Sequence, residues 1–203
     1  GLPNPAHAPE PPLKPTIGAA LRDLAAALST LQAPSMIIGG IAVIARGVPR
    51  LTRDVDATVA GGVMELPALL DALRPHGVVP RIPDAVAFAS AHQVVLLRHE
   101  PSGVDVGLSI AWLPFELDAI AASERLDIAG TRVAVARPED LIIYKAVAFR
   151  PQDQQDIERL LVVHGAAIDL SRVRRVVSEF AAALDEPERM MRLEDIIRRT
   201  GAR

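Results

Sequence analysis

Two periods of hydrophobicity alternate along the first two thirds of the chain. Apolar residues three or four positions apart predict helices, whereas alternating apolar and polar residues, or short apolar runs between turns, predict strands. In chain order the patterns predict a helix over 16–31, a strand over 35–38, a helix over 41–46, a strand over 54–59, a helix over 66–73, a hairpin of strands over 93–98 and 104–110, a helix over 113–122, and short strands over 126–128 and 132–135. This mixture predicts a sheet with helices packed against it.

From Pro138 to the end the pattern is helical, with breaks at Pro151, Gly165 and Pro187. We therefore predict an α+β fold, in which a mixed sheet flanked by helices is followed by a helical C-terminal region. The expected organisation is a flexible proline-rich arm over 1–15, an α/β core over 16–137, and a helical region over 138–203 that completes the active site.

Composition narrows the functional classes. Half of the 203 residues are hydrophobic, which is enough for a substantial core. The absence of cysteine rules out disulfides and thiolate zinc sites. A net charge of −3 and only 3% aromatic residues argue against bulk charge or a stacking platform as the means of binding nucleic acid. The sequence shows no signal-peptide pattern and no apolar run of membrane-spanning length, so the expected location is the cytoplasm.

The most informative stretch runs from Gly39-Gly40 to Asp56. Two glycines between a strand and a helix let the backbone approach a ligand, and helix N–H groups there can face a phosphate. Asp54 and Asp56 are two positions apart on a strand, so both carboxylates point to one face, where hard oxygen ligands suit Mg²⁺ or Mn²⁺. By itself, a Gly-Gly pair usually marks only a turn, and an Asp-x-Asp pattern usually marks only a solvent-exposed strand edge. The occurrence of both in this order within one segment favours a functional site.

A third carboxylate, Asp105, is flanked by Val104 and Val106 on a predicted strand. If those valines face the core, Asp105 faces the side that Asp54 and Asp56 would use if the two strands are neighbours. A surface aspartate without a role is an equally good interpretation of the residue by itself.

Lys145 is one of only two lysines in a chain with twenty arginines, and it interrupts an apolar helix. An ammonium in such a helix either reaches solvent along its own stem or faces an anionic site. Asp153 and Asp156 follow three residues apart on one helical face, where they could pair with Lys145 or Arg150. For Asp153, stabilisation of the N-terminus of its helix by a negative charge is at least as good an interpretation.

With these residues in place, the sequence resembles the polymerase-β-like nucleotidyltransferase superfamily over about residues 35–165. Gly39-Gly40 and Asp54-Val55-Asp56 are similar to its signature, and Asp105 fits its third carboxylate. The segments 50–56, 113–116 and 138–156 look like the bacterial AbiEii-type nucleotidyltransferases, some of which are tRNA-modifying toxins of toxin–antitoxin systems. Many superfamily members have Gly-Ser where this chain has Gly39-Gly40, which removes a hydroxyl that could contact a triphosphate.

The resemblance implies an in-line attack on the α-phosphate of an NTP, with loss of pyrophosphate. It makes Asp54 and Asp56 ligands of Mg²⁺ or Mn²⁺, and Asp105 the third ligand and the base for the incoming hydroxyl.

The resemblance also assigns residues to the nucleotide. Gly39 and Gly40 would approach the triphosphate, and Lys145 would neutralise phosphate charge. Arg50 and Arg53 are weaker candidates for that task. Asp156 would position Lys145 or the nucleotide, with Asp153 as the substitute for it.

Three functions remain open at this point. The favoured one is transfer of NMP to RNA, in particular a tRNA 3′ end, by a toxin with a possible cognate antitoxin protein as partner. The second is nucleotidylation of a small molecule such as an antibiotic. The third is a catalytically inactive nucleotide-binding module, against which the complete set of Asp54, Asp56 and Asp105 argues.

Overall fold

The computed structural model describes residues 13–61 and 66–202. Its helices are α1 (Pro15–Thr30), α2 (Gly39–Ala45), α3 (Leu66–Leu73), α4 (Ala85–His92), α5 (Pro114–Ala121), α6 (Pro138–Ala148), α7 (Pro151–His164), α8 (Leu170–Ala183) and α9 (Glu188–Thr200). Its strands are β1 (Ser35–Ile38), β2 (Asp54–Ala60), β3 (Val78–Pro80), β4 (Val94–His99), β5 (Val104–Ala111), β6 (Glu124–Ile128) and β7 (Thr131–Val135). None of the helices in these ranges combines the length and apolarity needed to cross a bilayer.

The strands form one mixed seven-stranded sheet in the order β3-β4-β5-β2-β1-β7-β6. Two pairs are parallel, β2 with β5 and β1 with β7, and the other four pairs are antiparallel. The two parallel pairs lie on either side of the β1–β2 pair, at the centre of the sheet. This arrangement places the Gly39-Gly40 turn after β1 beside the first residues of β2.

Alternation along the strands separates the core from the site. Val55, Ala57 and Val59 of β2 are buried, whereas Asp54 is exposed and Asp56 partly exposed. The same period on β5 buries Val104, Val106 and Leu108 and leaves Asp105 and Gly107 on the other face. The hydrophobic effect therefore fixes which way the carboxylates point, because a shift of one residue would bring them into the core.

Helix α6 is the buried helix of the C-terminal half, as its apolar sequence predicts. It packs against both α7 and α8, and Leu141, Ile142 and Ile143 are almost entirely enclosed. One continuous hydrophobic core runs from α1 to α9 and joins the α/β part to the C-terminal helices. The proposed division near residue 137 thus separates segments of the chain that share one core.

The α+β class and the helical C-terminal region are confirmed, and most predicted elements agree with the structure to within two residues. Two elements were not predicted, the short edge strand β3 and helix α4. Helix α1 begins at Pro15, inside the segment 1–15 assigned to the arm, because proline is favoured in a first helical turn. The rest of that predicted arm, up to residue 12, lies outside the described residues.

Candidate active site

The three predicted carboxylates lie at one end of the central strands. Parallel pairing sets Asp54 of β2 directly opposite Asp105 of β5, and Asp56 opposite Gly107. The Thr52 hydroxyl donates a hydrogen bond to Oδ1 of Asp54 at 3.2 Å and so orients that carboxylate. Because residues in register on neighbouring strands project to the same face, the aspartates share one side of the sheet.

Glycines on both sides make room for the side chain of Asp56. A Cβ on Gly39 would clash with Oδ2 of Asp56, and a Cβ on Gly107 would lie 2.7 Å from Oδ1. Gly39 also has a φ of +65°, a conformation that favours glycine. A Cβ on Gly40 would lie 2.6 Å from the hydroxyl of Thr52. The Gly39-Gly40 turn therefore packs against the carboxylate strand, and any side chain on either glycine would displace a site residue.

The electrostatic environment of Asp56 disfavours its charged form. Burial, and then the charge of Asp54, raise the pKa of Asp56 from 3.8 to about 6, although Lys145, Arg150 and Arg50 act in the opposite direction. Two carboxylates held on one face thus lack sufficient positive charge from the protein itself. A bound cation would supply it.

Lys145 lies across the cleft from β2, on α6, and its side chain is only 8% exposed. Its Nζ is 2.7 Å from Oδ2 of Asp156 and 3.4 Å from Oδ1 of Asp153, both on α7. Asp156 is completely buried and also contacts Arg50 in an ion pair. The ammonium is therefore both aimed at the site and held by two carboxylates.

Asp153 and Asp156 make different contacts around Lys145. Asp153 is at the start of α7, where its Oδ2 accepts hydrogen bonds from the backbone N–H and Nε of Arg150 at 3.0 and 2.9 Å. Burial acts to raise the pKa of Asp153, but the hydrogen bonds from Arg150 and the charge of Lys145 outweigh it and lower the pKa. Asp156 accepts from Nε2 of Gln152 at 3.2 Å and bridges Lys145 to Arg50. Both predicted acids thus support the lysine, and Asp156 is the nearer one.

Asp105 is engaged by arginines. Nε of Arg98, its direct partner on β4, donates to Oδ1 of Asp105 at 2.9 Å, and Nη1 of Arg81 lies 3.9 Å from Oδ2. Within residues 13–61 and 66–202, no three His, Asp or Glu side chains converge closely enough to hold a metal ion. Asp105 therefore occupies the predicted backbone position, while its carboxylate faces the arginines.

A cleft of about 220 Å³ connects these elements. It is lined by Ile38, Gly39, Asp56, Leu141, Tyr144, Lys145, Ala148, Arg150 and Asp153. The structure thus brings Gly39, Asp56 and Lys145 to one cavity, whereas Arg53 is exposed beside Asp54. A larger cavity of about 450 Å³, between the end of α1 and the β6–β7 hairpin, has no carboxylate in its lining.

Sequence reasoning missed four residues that shape this site, namely Thr52, Arg81, Arg98 and Gly107. A glycine inside a strand often marks a close approach, which was the available signal for Gly107. The predicted hairpin was a signal that Arg98 lies near Asp105, because a short turn brings the flanking residues of its two strands together. Arg81 follows an unpredicted strand, so no local pattern pointed to it.

The Gly107→Ala variant is expected to lose activity without losing much stability. The added methyl would meet only the end of the Asp56 side chain, which can rotate away but then leaves its place in the site. A displacement of about 1 Å at a catalytic group can reduce turnover on the order of 100-fold. Transfer assays and thermal melts measure the two effects.

Gly18→Ala in α1 is the matched control, since a Cβ there would meet only Cβ of Ala129, at 3.8 Å. This control should keep full activity and an equal or slightly higher melting temperature. Full activity in Gly107→Ala would show that Asp56 has no required position.

Solved structures resemble this chain in fold. The crystal structure of ANT(2″)-Ia in complex with adenylyl-2″-tobramycin matches with a TM-score of 0.55 and 18% identity over 84% of this chain and 99% of that one. The solution structure of the antibiotic-resistance factor ANT(2″)-Ia matches with the same score and identity, over 85% and 94%. A nucleotidyltransferase-like antigenic protein from Paracoccidioides brasiliensis matches less well, with a TM-score of 0.44 at 17% identity over 91% and 95%. At these identities the likeness concerns the fold. Among proteins with curated descriptions, none matches this chain.

The mixed sheet, the helical C-terminal region and the glycine turn beside paired carboxylates define the α+β nucleotidyltransferase class. The chain belongs to the family described as nucleotidyltransferase of unknown function (DUF6036), whose model matches residues 17–199. It is therefore an enzyme of nucleotidyl transfer.

Proposed function

We propose that the protein transfers NMP from an NTP to an RNA hydroxyl in a reaction that depends on a divalent metal, with a tRNA 3′ end as the favoured acceptor. The observation that carries the proposal is the parallel register that sets Asp54 beside Asp105, with Asp56 on the same face and Lys145 across the cleft. Asp56 and Lys145 line one cavity, so a carboxylate for a cation and an ammonium for phosphate face the same space, while Asp54 and Asp105 lie beside Asp56 on the sheet.

Asp54 and Asp56 fit a divalent metal. Their donors are hard oxygens on one face, and the glycines at 39 and 107 leave just enough room for the Asp56 carboxylate between them. Burial, and then the charge of Asp54, raise the pKa of Asp56, and a cation bound beside it would favour its charged form. Mg²⁺ or Mn²⁺ bound there would supply positive charge to the transferring phosphate.

The chain's own residues would handle the triphosphate. Gly39 lines the cleft and would bring its backbone close to the triphosphate, while Gly40 behind it is buried against Thr52 and Arg50. Lys145 places an ammonium beside the cleft, and Asp156 and Asp153 fix its position. Arg50, which is held by Asp156, and the exposed Arg53 would add positive charge beside the site, which favours the departing pyrophosphate.

In the proposed reaction the acceptor hydroxyl oxygen forms a bond to the α-phosphorus. The bond from that phosphorus to the oxygen bridging to the β-phosphate breaks in line, and pyrophosphate leaves. The proton of the hydroxyl passes to the carboxylate of Asp105, which lies in register with Asp54. Asp105 must turn away from Arg98 to do so.

Charge around the carboxylates supports an RNA acceptor. Arg53, Arg81, Arg98 and Arg150 are all exposed or partly exposed near the mouth of the site. Exposed guanidinium groups of this kind can bind the phosphates of a polyanion. We also propose that the enzyme acts as a toxin in the cytoplasm, held inactive by a cognate antitoxin protein, as its similarity to AbiEii-type enzymes suggests.

Incubation with Mg²⁺ or Mn²⁺, each α-³²P-labelled NTP and total RNA tests the reaction. Label is expected in RNA with the wild type, and none with Asp54→Asn/Asp56→Asn or with EDTA. Growth arrest on expression, relieved by the same double substitution, is the expected result for a toxin.

The competing functions give different results. Transfer of label to an aminoglycoside but not to RNA, with resistance on expression, would replace the RNA hypothesis by antibiotic modification. Metal-dependent NTP binding in calorimetry without transfer to any acceptor would indicate an inactive binding module.

A further inference from the structure

The pairing of Asp105 with two arginines is unexpected for a group assigned to a metal and a proton. Arg98 lies opposite Asp105 in the β4–β5 ladder and donates to it at 2.9 Å. Arg81 reaches the other carboxylate oxygen at 3.9 Å from the end of β3. Two cations thus share one acid, and all three side chains are more than a third exposed.

Charge balance changes when Asp105 joins the other two aspartates. A carboxylate that serves a cation near Asp54 no longer neutralises Arg98 and Arg81. Two guanidinium groups are then left side by side without their partner, at a distance where like charges repel. An anion that arrives with the acceptor would replace Asp105 as their counter-ion, and guanidinium forks match phosphate geometry.

We propose that Arg81 and Arg98 bind a backbone phosphate of the acceptor strand, and that this binding releases Asp105 for catalysis. The inference rests on the proposed function, and it adds the acceptor site and its chemical class, a phosphodiester next to the reacting hydroxyl. Without acceptor, Arg98 keeps Asp105 away from the metal position. The enzyme would therefore complete its site only when a nucleic acid strand is bound.

The sheet order supports separate binding positions for the triphosphate and the acceptor strand, on the two sides of the carboxylates. β1, which carries the Gly39 turn, lies on one side of β2, and β5, β4 and β3 lie on the other. Lys145 lines the cleft with Gly39, while Arg81 and Arg98 lie beyond Asp105. A triphosphate on the Gly39 side and an acceptor strand on the Arg98 side would approach Asp54 and Asp56 from opposite directions, as in-line transfer requires.

The alternative is that Arg98 and Asp105 are simply a cross-strand surface pair. The two roles differ in what happens when the arginines are removed. A surface pair affects neither RNA affinity nor metal affinity in a specific way. If the two arginines form an acceptor site that restrains Asp105, their removal should weaken RNA binding and strengthen metal binding.

The test compares Arg81→Gln/Arg98→Gln with Arg125→Gln/Arg132→Gln in the full chain. The control arginines are exposed on the β6–β7 hairpin at the far edge of the sheet, so both variants lose the same charge. Fluorescence anisotropy with a 5′-labelled 12-nucleotide RNA bearing a 3′ hydroxyl measures affinity at several salt concentrations. Calorimetry with Mn²⁺ alone measures the metal affinity without any catalysis.

For Arg81→Gln/Arg98→Gln we expect RNA binding weaker by on the order of tenfold than in the control variant. The slope of log affinity against log salt should fall by about 0.7 for each arginine that contacts a phosphate. Mn²⁺ should bind a few-fold more tightly than in the control, and adding Asp105→Asn should abolish that gain.

Equal RNA affinity and salt slope in the two double variants would overturn the acceptor site, as would Mn²⁺ affinity that Asp105→Asn leaves unchanged. A wild-type enzyme that labels RNA while these outcomes occur would refute this inference alone. A wild-type enzyme that labels only a phosphate-free small molecule would refute the inference and the proposed function together.

Discussion

The Asp56→Asn variant is expected to be inactive and, without metal, more stable than the wild type at neutral pH. The wild type holds Asp56 in a partly buried position beside Asp54, where its charged form is disfavoured. Asparagine keeps the shape of the side chain and removes the charge. The same substitution that removes a proposed metal ligand therefore removes a source of instability.

The pH dependence follows from the direction of the shift. The pKa of Asp56 is raised from 3.8 to about 6, so between these values the folded protein binds more protons than the unfolded chain. Folding stability therefore falls as pH rises through this window, and the loss is complete above it. Below about pH 4 the carboxyl is protonated in both states and contributes no penalty.

A shift of this size corresponds to roughly 3 kcal/mol, or about 6–12 °C in melting temperature for a chain of this length. Thermal melts in EDTA at pH 7.5 should show Asp56→Asn above the wild type by that amount, and the difference should shrink toward pH 4. Added Mg²⁺ or Mn²⁺ should raise the wild-type melting temperature and leave the variant unchanged.

Asp118→Asn is the matched control, because Asp118 is an exposed residue on α5. It should melt like the wild type at each pH and respond equally to metal. If Asp56→Asn melts at or below the wild type in EDTA at pH 7.5, Asp56 is not under electrostatic strain. If the variant still responds to metal, the cation binds elsewhere.

The strand positions of the carboxylates were predictable because burial fixes them. Val55, Ala57 and Val59 must face the core, and the alternation of a strand then sends Asp54 and Asp56 to the opposite side. That logic is local and needs no knowledge of the partner strand. The parallel pairing of β2 with β5 joins residues about fifty positions apart, and no local pattern encodes it.

The missed elements had weak signals for physical reasons. β3 has only three residues and includes Pro80, which is tolerated at a sheet edge. Helix α4 is rich in alanine on all sides and lacks an apolar stripe, so periodicity could not identify it. Arg81 lies between these two elements, and the acceptor-side arginines became visible only with the folded sheet.

The partners of Lys145 were also beyond a sequence argument. Helical spacing allowed Asp153 and Asp156 to pair with either Lys145 or Arg150, and it could not rank them. In the structure the turn between α6 and α7 brings both acids under the ammonium. Removal of the lysine would therefore leave two buried acids without one of their partners.

Lys145→Met is expected to abolish transfer and also to destabilise the protein. Methionine keeps the apolar stem of the side chain but leaves Asp156 and Asp153 buried without the ammonium. Breaking a buried ion pair commonly costs about 3–5 kcal/mol. Arg50 still pairs with Asp156 and Arg150 with Asp153, so we expect a loss of about 2 kcal/mol, measured by urea denaturation.

A second substitution separates catalysis from folding. In Lys145→Met/Asp156→Asn the buried carboxylate is neutral but Arg50 loses its ion-pair partner, so part of the lost stability should return while activity remains absent. Lys14→Met, at the exposed N-cap of α1, removes the chain's other lysine and should change neither property. Restored activity in the double variant would mean that Lys145 matters only for folding. A lasting loss of activity in a protein of near-normal stability would support direct contact between the ammonium and the triphosphate, because Asp156 would then have served only to hold that charge in place.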